Sequence, residues 1–483
     1  MDLLSCRMSL STRRSFLKAA VAGAAAATIP VAARGQVPAP AKTGRTDGGA
    51  RNLIFLVSDG MSLGTLSLAH QFRSRRDGRG TAWLDLYRDP TVRRALIDTA
   101  SASSVVTDSA AASSAWGGGL RVANGSINVG AGGVRRQPLL DAVRSSGRAT
   151  GLVSTATITH ATPAGFAVNV PGRNDESSIA DLYAQSGIDL FLGGGAKFFD
   201  ATLRSDNRDT FAEFSRAGYE VVRNRTALAA APAGRQLLGV FADGHLPYAL
   251  DHASEPDLAS TVPTLAEMAG IALRRLASSG GDRGFALQIE GARVDHAAHA
   301  NDFGGLIHDQ LAFDDALAVA LRFAAGRSDT LVIVTTDHGN SNPGLNGTGS
   351  AYGETNACFE RSFGFRQTND WIISGLAAES TAGAIRDRVK LATDLAITAG
   401  EADLIGRALR KDYKDAYRVR TSAIVILGQV LANHIAVGWT GISHTSDLVE
   451  LAAIGPGSEA VGGVMLNTAV HSLMRAALAL PPV

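Results

Sequence analysis

The chain has 483 residues, 45% of them hydrophobic, and its 46 Lys and Arg against 45 Asp and Glu leave a formal charge of +1. That composition is enough for a large packed core and excludes a wholly disordered chain, while the balanced charge excludes bulk attraction to nucleic acid or acidic membranes. Function has to be sought in local constellations.

Residues 1–33 read as an address. Arg13-Arg14 precedes a short Ala-rich apolar run and Val31-Ala32-Ala33 supplies small residues for cleavage, the pattern of a twin-arginine export signal. The run is too short and too weakly apolar to favour a membrane span. Its removal leaves 42 basic against 44 acidic residues and predicts a periplasmic or secreted protein. It also takes away Cys6, so Cys358 would stand alone in the mature chain, with no intrachain disulfide. Residues 34–50, rich in Pro, Gly and Ala, read as a flexible tether to one large domain over 51–483.

That domain opens with Leu53 to Val57, a continuous apolar run ending at Ser58-Asp59-Gly60, which predicts a buried parallel strand feeding a functional loop. Thr107-Asp108-Ser109 precedes a run of small residues. Asp108 suits a helix N-cap there, and a helix amino terminus beside the Ser109 hydroxyl suits phosphate. Gln137 to Ser146 reads as a helix, Thr150 to Ser154 as a strand, and Thr159-His160-Ala161-Thr162-Pro163 as a turn. Thr264 to Ser278 is a further helix, followed by a strand over Phe285 to Ile289. The strand runs into Glu290-Gly291-Ala292-Arg293-Val294-Asp295-His296-Ala297-Ala298-His299, where a helix would put Asp295 and His299 on one face.

Leu331 to Val334 repeats the strand pattern before Asp337-His338-Gly339-Asn340. Residues 341–436 change character, first Gly-, Asn- and Ser-rich, then, over 377–414, alternating apolar and charged positions as surface helices do. They predict an insertion on the active-site face. The core pattern returns near Ile435, passes His444 and ends in the apolar segment from Val461 to Leu480. The fold class expected is α/β, a mostly parallel central sheet between helical layers, with its ligand crevice at the carboxyl ends of the strands.

Asp59, Asp337 and His338 lie at the ends of two predicted strands, and His444 can complete a metal site with Asp295 and His299. Carboxylate and neutral imidazole together suit zinc. Each piece alone has an ordinary explanation: a loop hydrogen bond for Asp337-His338, a helical salt bridge for Asp295 and His299, a plain N-cap for Asp108-Ser109. Three acid and histidine clusters at element ends resist that explanation together, because buried unpaired carboxylates are costly and cations would hold them. Neither a Gly-x-Ser-x-Gly elbow nor a Walker phosphate loop surrounds the serine.

Taken in order from residue 59 to residue 444, the segments Asp59-Gly60, Thr107-Asp108-Ser109-Ala110-Ala111, Glu290 through His299, Asp337-His338 and His444 resemble the successive motifs of the alkaline phosphatase family. The resemblance implies hydrolysis of phosphate monoesters through a phosphoserine at Ser109, with Arg173 clamping phosphate and Asp108 and His296 also at the substrate. It implies two zinc ions, one held by Asp295, His299 and His444, the other by Asp59, Asp337 and His338. A magnesium ion would be held by Asp59, Glu290 and Thr162. His160 and Asn340 would stand behind the ligands, and Asn340 departs from relatives that carry histidine there. Small phosphomonoester substrates, no nucleic-acid-specific recognition and a homodimer are further implications. A phosphodiesterase or sulfatase on the same metal core, or an exported phosphate- or metal-binding protein without turnover, stays open at this point.

Overall fold

The computed structural model describes residues 49–350, 352–413 and 421–481. The export leader expected over residues 1–33, and the tether as far as residue 48, lie outside the described residues. Ten strands form the central sheet: β1 (Asn52–Ser58), β2 (Arg93–Asp98), β3 (Ala149–Thr157), β4 (Leu190–Gly194), β5 (Glu220–Val222), β6 (Leu237–Val240), β7 (Phe285–Gly291), β8 (Thr330–Thr335), β9 (Val449–Ile454) and β10 (Val464–Leu466). Their spatial order is β10-β2-β9-β8-β1-β7-β3-β4-β6-β5. Every pairing is parallel except those of β9, which runs antiparallel between β8 and β2.

The central strands are buried along their whole length because both faces are covered. Along β1 the period-2 alternation sends Ile54 and Leu56 into one buried cluster and Leu53, Phe55 and Val57 into another. The first cluster is closed by α1 (Leu63–Asp77), through Leu66 and Phe72. On the second face α2 (Ser109–Gly117) contributes Ala110 and Trp116, α3 (Leu139–Ser145) contributes Leu140 and Val143, and α4 (Ala161–Ala167) contributes Ala164 and Phe166. Back on the first face, α5 (Leu265–Gly280) buries Leu265, Met268, Ala269, Ala272, Leu273 and Leu276, a helical stripe started by a capping box between Thr264 and Glu267. Strand β7 leads into α6 (Arg293–His299), and α7 (Phe303–Ala324) packs Leu306, Phe313 and Leu317 into the same core.

Within 341–436 the helices α8 (Ala382–Thr393) and α9 (Ala399–Leu409) are amphipathic, as their alternation of apolar and charged residues suggests, and α10 (Ala423–His434) is mostly apolar. They are docked rather than peripheral: Ile385, Val389, Ile405, Leu427 and Leu431 join the first core cluster. The last helix, α11 (Asn467–Ala477), closes the second face through Val470 and Met474. Cys358 is buried. Among the described residues no helix is long and apolar enough to cross a membrane.

Candidate active site

Strands β1, β7 and β8 are neighbours and parallel, so the residues after their carboxyl ends meet although they are far apart in sequence. Asp59 follows β1, Glu290 stands one residue before the end of β7, and Asp337 and His338 follow β8. The turn after Asp59 requires glycine: Gly60 has φ +66°, and a Cβ there would lie 2.4 Å from Asp295 Oδ1. Gly60 N–H donates to Asp337 Oδ1 at 2.9 Å, which ties the two strand ends together. His444 arrives by a two-residue antiparallel pairing of His444-Thr445 with Gly339-Asn340. Asp295 and His299 share a face of α6, with His299 Nε2 3.3 Å from Asp295 Oδ2.

Three groups of ligand atoms result: Asp295, His338 and His444; Asp59, Asp337 and His338; and Asp59, His160 and Glu290. His338 belongs to two of them, and its ring stacks on His444 with centroids 3.6 Å apart. His299 joins the first group through Asp295 and through His444, whose Nε2 is 3.1 Å from its own.

The donor set fits cations on two observations. Both Asp59 oxygens, Glu290 Oε1 and the Thr162 hydroxyl are buried without a hydrogen-bond partner, a costly arrangement for groups that charge or solvent normally satisfies. The second observation concerns tautomers. His299 Nδ1 faces the Ile442 carbonyl at 2.7 Å and His444 Nδ1 faces the Thr107 carbonyl at 2.9 Å. A carbonyl only accepts, so each Nδ1 carries a proton and each neutral ring presents a bare Nε2. Two bare nitrogens at 3.1 Å repel unless a proton or a cation takes both. Asn340, Nδ2 2.6 Å from Asp295 Oδ1, holds that carboxylate in place.

Without cations the acids disturb one another. Burial, then the charges of Asp337, Asp295 and Glu290, push the Asp59 carboxyl well up, and burial raises Glu290 to about 7. Burial also works to raise Asp295, but the His299 hydrogen bond and the charges of His299, His338 and His444 hold it well below the usual carboxylate range. Burial and the neighbouring His338 bring His444 down to about 4. Burial, followed by the nearby arginine charge, pushes His160 and His296 well down.

Ser109 opens α2, with Asp108 as N-cap accepting from Ala111 N–H at 2.9 Å. The serine hydroxyl is buried, 3.4 Å from His338 Nε2 and so beside two of the ligand groups. Arg173 donates through Nη1 to Asp108 Oδ2 at 3.0 Å and through Nη2 to His160 Nε2 at 3.0 Å. Thr162 and His160 sit at the start of α4, which packs directly on α2. The structure thus draws together every residue singled out from the sequence, with His296 joined to His160 by an edge contact at 5.9 Å.

Sequence reasoning missed Ser154, whose hydroxyl donates to Glu290 Oε2, and Thr155, whose Oγ1 accepts from Ala292 N–H at 2.9 Å. It also missed His245, which lies 4.4 Å from His296 ring to ring, and gave no role to Arg293. Ser154 and Thr155 were readable only as strand residues, and His245 sits in a loop with no motif around it.

A capped serine and an arginine beside three carboxylate and imidazole clusters, at the carboxyl edge of a parallel sheet, define a metal-dependent hydrolase of phosphate esters. The family model for alkaline phosphatase matches residues 50–480, and the chain belongs to that family. It is similar to alkaline phosphatase 3 of Bacillus subtilis (strain 168), 31% identical over 430 residues, covering 87% of each chain. It is also similar to the streptomycin-6-phosphate phosphatase of Streptomyces griseus, 35% identical over 335 residues, 60% of this chain and 74% of that protein. The crystal structure of Thermus thermophilus alkaline phosphatase superposes with a TM-score of 0.85 at 34% identity, over 93% of this chain and 96% of that one. The protein is an enzyme with a multi-metal active site that acts on small phosphomonoesters.

Proposed function

We propose that Ser109 is the nucleophile and Arg173 the phosphate clamp of this phosphomonoesterase. Ser109 Oγ attacks phosphorus, the phosphorus–oxygen bond to the ester breaks, and the alcohol leaves with a proton. Water then attacks the phosphoserine, releasing inorganic phosphate and restoring the hydroxyl. Arg173, held by Asp108 and His160 on its two terminal nitrogens, has the planar donors to bind two nonbridging oxygens. The amino end of α2 adds backbone N–H groups to the same anion, and His296 supplies a further donor.

Zinc is the ion that suits the imidazole-containing groups of Asp295 and His444, with His299 beside them, and of Asp59, Asp337 and His338, and magnesium suits the oxygens of Asp59 and Glu290 with the unpartnered Thr162 hydroxyl. When bound, these ions lower the proton affinity of attacking oxygens and offset charge on the phosphoryl group. His160 supports Arg173, whose Nη2 donates to its Nε2, and it also belongs to the third ligand group with Asp59 and Glu290.

The observation that carries this reading is the 3.4 Å approach of the Ser109 hydroxyl to His338, a member of two ligand groups. Ser109→Ala, fully metallated, is expected to lose at least about 100-fold in turnover while still binding phosphate. Labelled substrate should leave phosphate on Ser109 of the wild type when dephosphorylation is slowed. Near-normal turnover by the folded variant would refute the assignment. Export by the twin-arginine route to the periplasm or beyond, and assembly as a homodimer, complete the proposal. Arg13→Lys with Arg14→Lys should hold the protein inside the cell, and sedimentation should give twice the chain mass.

A further inference from the structure

Three imidazoles from separate segments meet beside Arg173: His160 before α4, His245 after β6, and His296 on α6. Their ring centroids are 5.9 Å apart for His160 and His296, 5.9 Å for His160 and His245, and 4.4 Å for His245 and His296. Each ring turns one nitrogen to a group that can only donate. Arg173 Nη2 meets His160 Nε2 at 3.0 Å, the Thr157 N–H meets His245 Nδ1 at 3.1 Å, and Arg293 Nη1 meets His296 Nδ1 at 2.9 Å. Guanidinium and amide have no acceptor, so the nitrogen facing them is bare and the ring proton sits on the other one.

Arg293 is itself held from several sides. Its Cζ lies 3.6 Å over the Tyr248 ring, Nη2 is 3.9 Å from Asp370 Oδ2, and its backbone N–H reaches Thr155 Oγ1 at 3.3 Å. The side chain is only 12% exposed. Tyr248 belongs to the segment after β6, and Asp370 to a short helix, Asn369–Ser374, of the segment expected to be an insertion. Elements far from the serine therefore fix one guanidinium, whose hydrogen bond toward the site is the one to His296.

We infer that Arg293 is a positioning residue: it fixes the orientation and tautomer of His296 so that Nε2–H is the donor offered to a phosphoryl oxygen. The inference rests on the reading of His296 as a substrate contact. Holding a ring in its donating tautomer removes the loss that a swivelling or reversed ring would bring to the bound phosphate. The docked segment 341–436 thereby reaches the site through Asp370 and Arg293.

The test uses the metallated full chain. Arg293→Met keeps an unbranched stem over Tyr248 but has no donor, and Arg293→Lys keeps a donor. Inorganic phosphate binding is measured by calorimetry, KM and kcat with an aryl phosphate, and the protonated nitrogen of His296 by nitrogen-15 NMR. Arg293→Met should weaken phosphate binding and raise KM about 10-fold, the scale of one hydrogen bond to an anion, with a smaller change in kcat. His296 should then show mixed tautomers, Arg293→Lys should recover most of the affinity, and Arg293→Met should cost nothing further in a His296→Ala background. An unchanged His296 spectrum in Arg293→Met, or a full loss that persists in the His296→Ala background, overturns the proposal. If His296→Ala alone leaves phosphate affinity intact, the reading of His296 fails first, and the role of Arg293 goes with it.

Discussion

The helix that carries Ser109 and the helix that carries Thr162 touch backbone to backbone at Gly117, which makes Gly117→Ala a sharp perturbation. A Cβ on Gly117 would fall 1.9 Å from the Gly165 carbonyl oxygen and 3.1 Å from Phe166 Cα. Ordinary contact begins at 3.4 Å, so α2 and α4 would have to part by about 1.5 Å at that point. The obstacle is main chain inside two helices, which cannot swing aside as a side-chain tip can. Overpacking of this kind costs about 1–3 kcal/mol, and a 1 Å misplacement of reacting groups costs on the order of 100-fold in rate. Gly117→Ala should therefore lower both thermal stability and kcat/KM, the latter by roughly 100-fold, with metal content measured alongside. Gly270→Ala on α5 is the control, because its nearest outside atom is 3.5 Å away and relief of backbone entropy should stabilise it by roughly 0.5–1 kcal/mol. Wild-type activity and stability in Gly117→Ala would refute the claim that this contact sets the spacing of serine and hydroxyl ligand.

Two further outcomes are expected. Burial raises the Asp309 carboxyl to about 7 in spite of the Ala249 N–H it accepts at 3.0 Å. Its folded value lies above the unfolded one, so the stability it contributes is complete below about pH 4 and is lost as pH climbs to about 7. Unfolding free energies across that window should fall in the wild type relative to Asp309→Asn by up to about 4 kcal/mol, and a constant difference would contradict the burial argument. Chelation should lower the melting temperature, because Asp59, Glu290, Asp295 and Asp337 are then buried together without cations. Restoring metal at about 100 times its Kd should return about 2.7 kcal/mol, and an unchanged melting temperature after verified metal loss would count against a structural share for the ions.

The sheet core was legible because both faces are buried: continuous apolar runs at Leu53 to Val57 and Leu331 to Val334 became β1 and β8, within a residue at each end. The helix from Thr264 was legible, and a capping box with Glu267 fixes its start, while Asp108 was readable as an N-cap from the small residues after it. The acids and histidines could be nominated because strand ends are where an α/β sheet gathers ligands. Strand β2 was not read, since Arg93 and Arg94 stand exposed at its start and only Ala95 and Ile97 are buried. The antiparallel insertion of β9 between β8 and β2 leaves no local mark, because pairing across more than 350 residues is a property of the assembled sheet. His245 and Arg293 were missed for a related reason. Their meaning lies in the partners they meet, Thr157 and His296, and only the fold supplies those partners.

The lone antiparallel strand also governs the order in which the molecule can be completed. Within the sheet, β2 and β10 are joined to the rest only through β9, which follows every other strand of the sheet but β10 along the chain. His444, which finishes the first ligand group, precedes β9 by only five residues. Until the last segment emerges, β2 has no place in the sheet and the histidine pair has one member. Long-range closure of this kind is slow, and here it makes architecture and chemistry mature together: a nascent chain is either finished or inert.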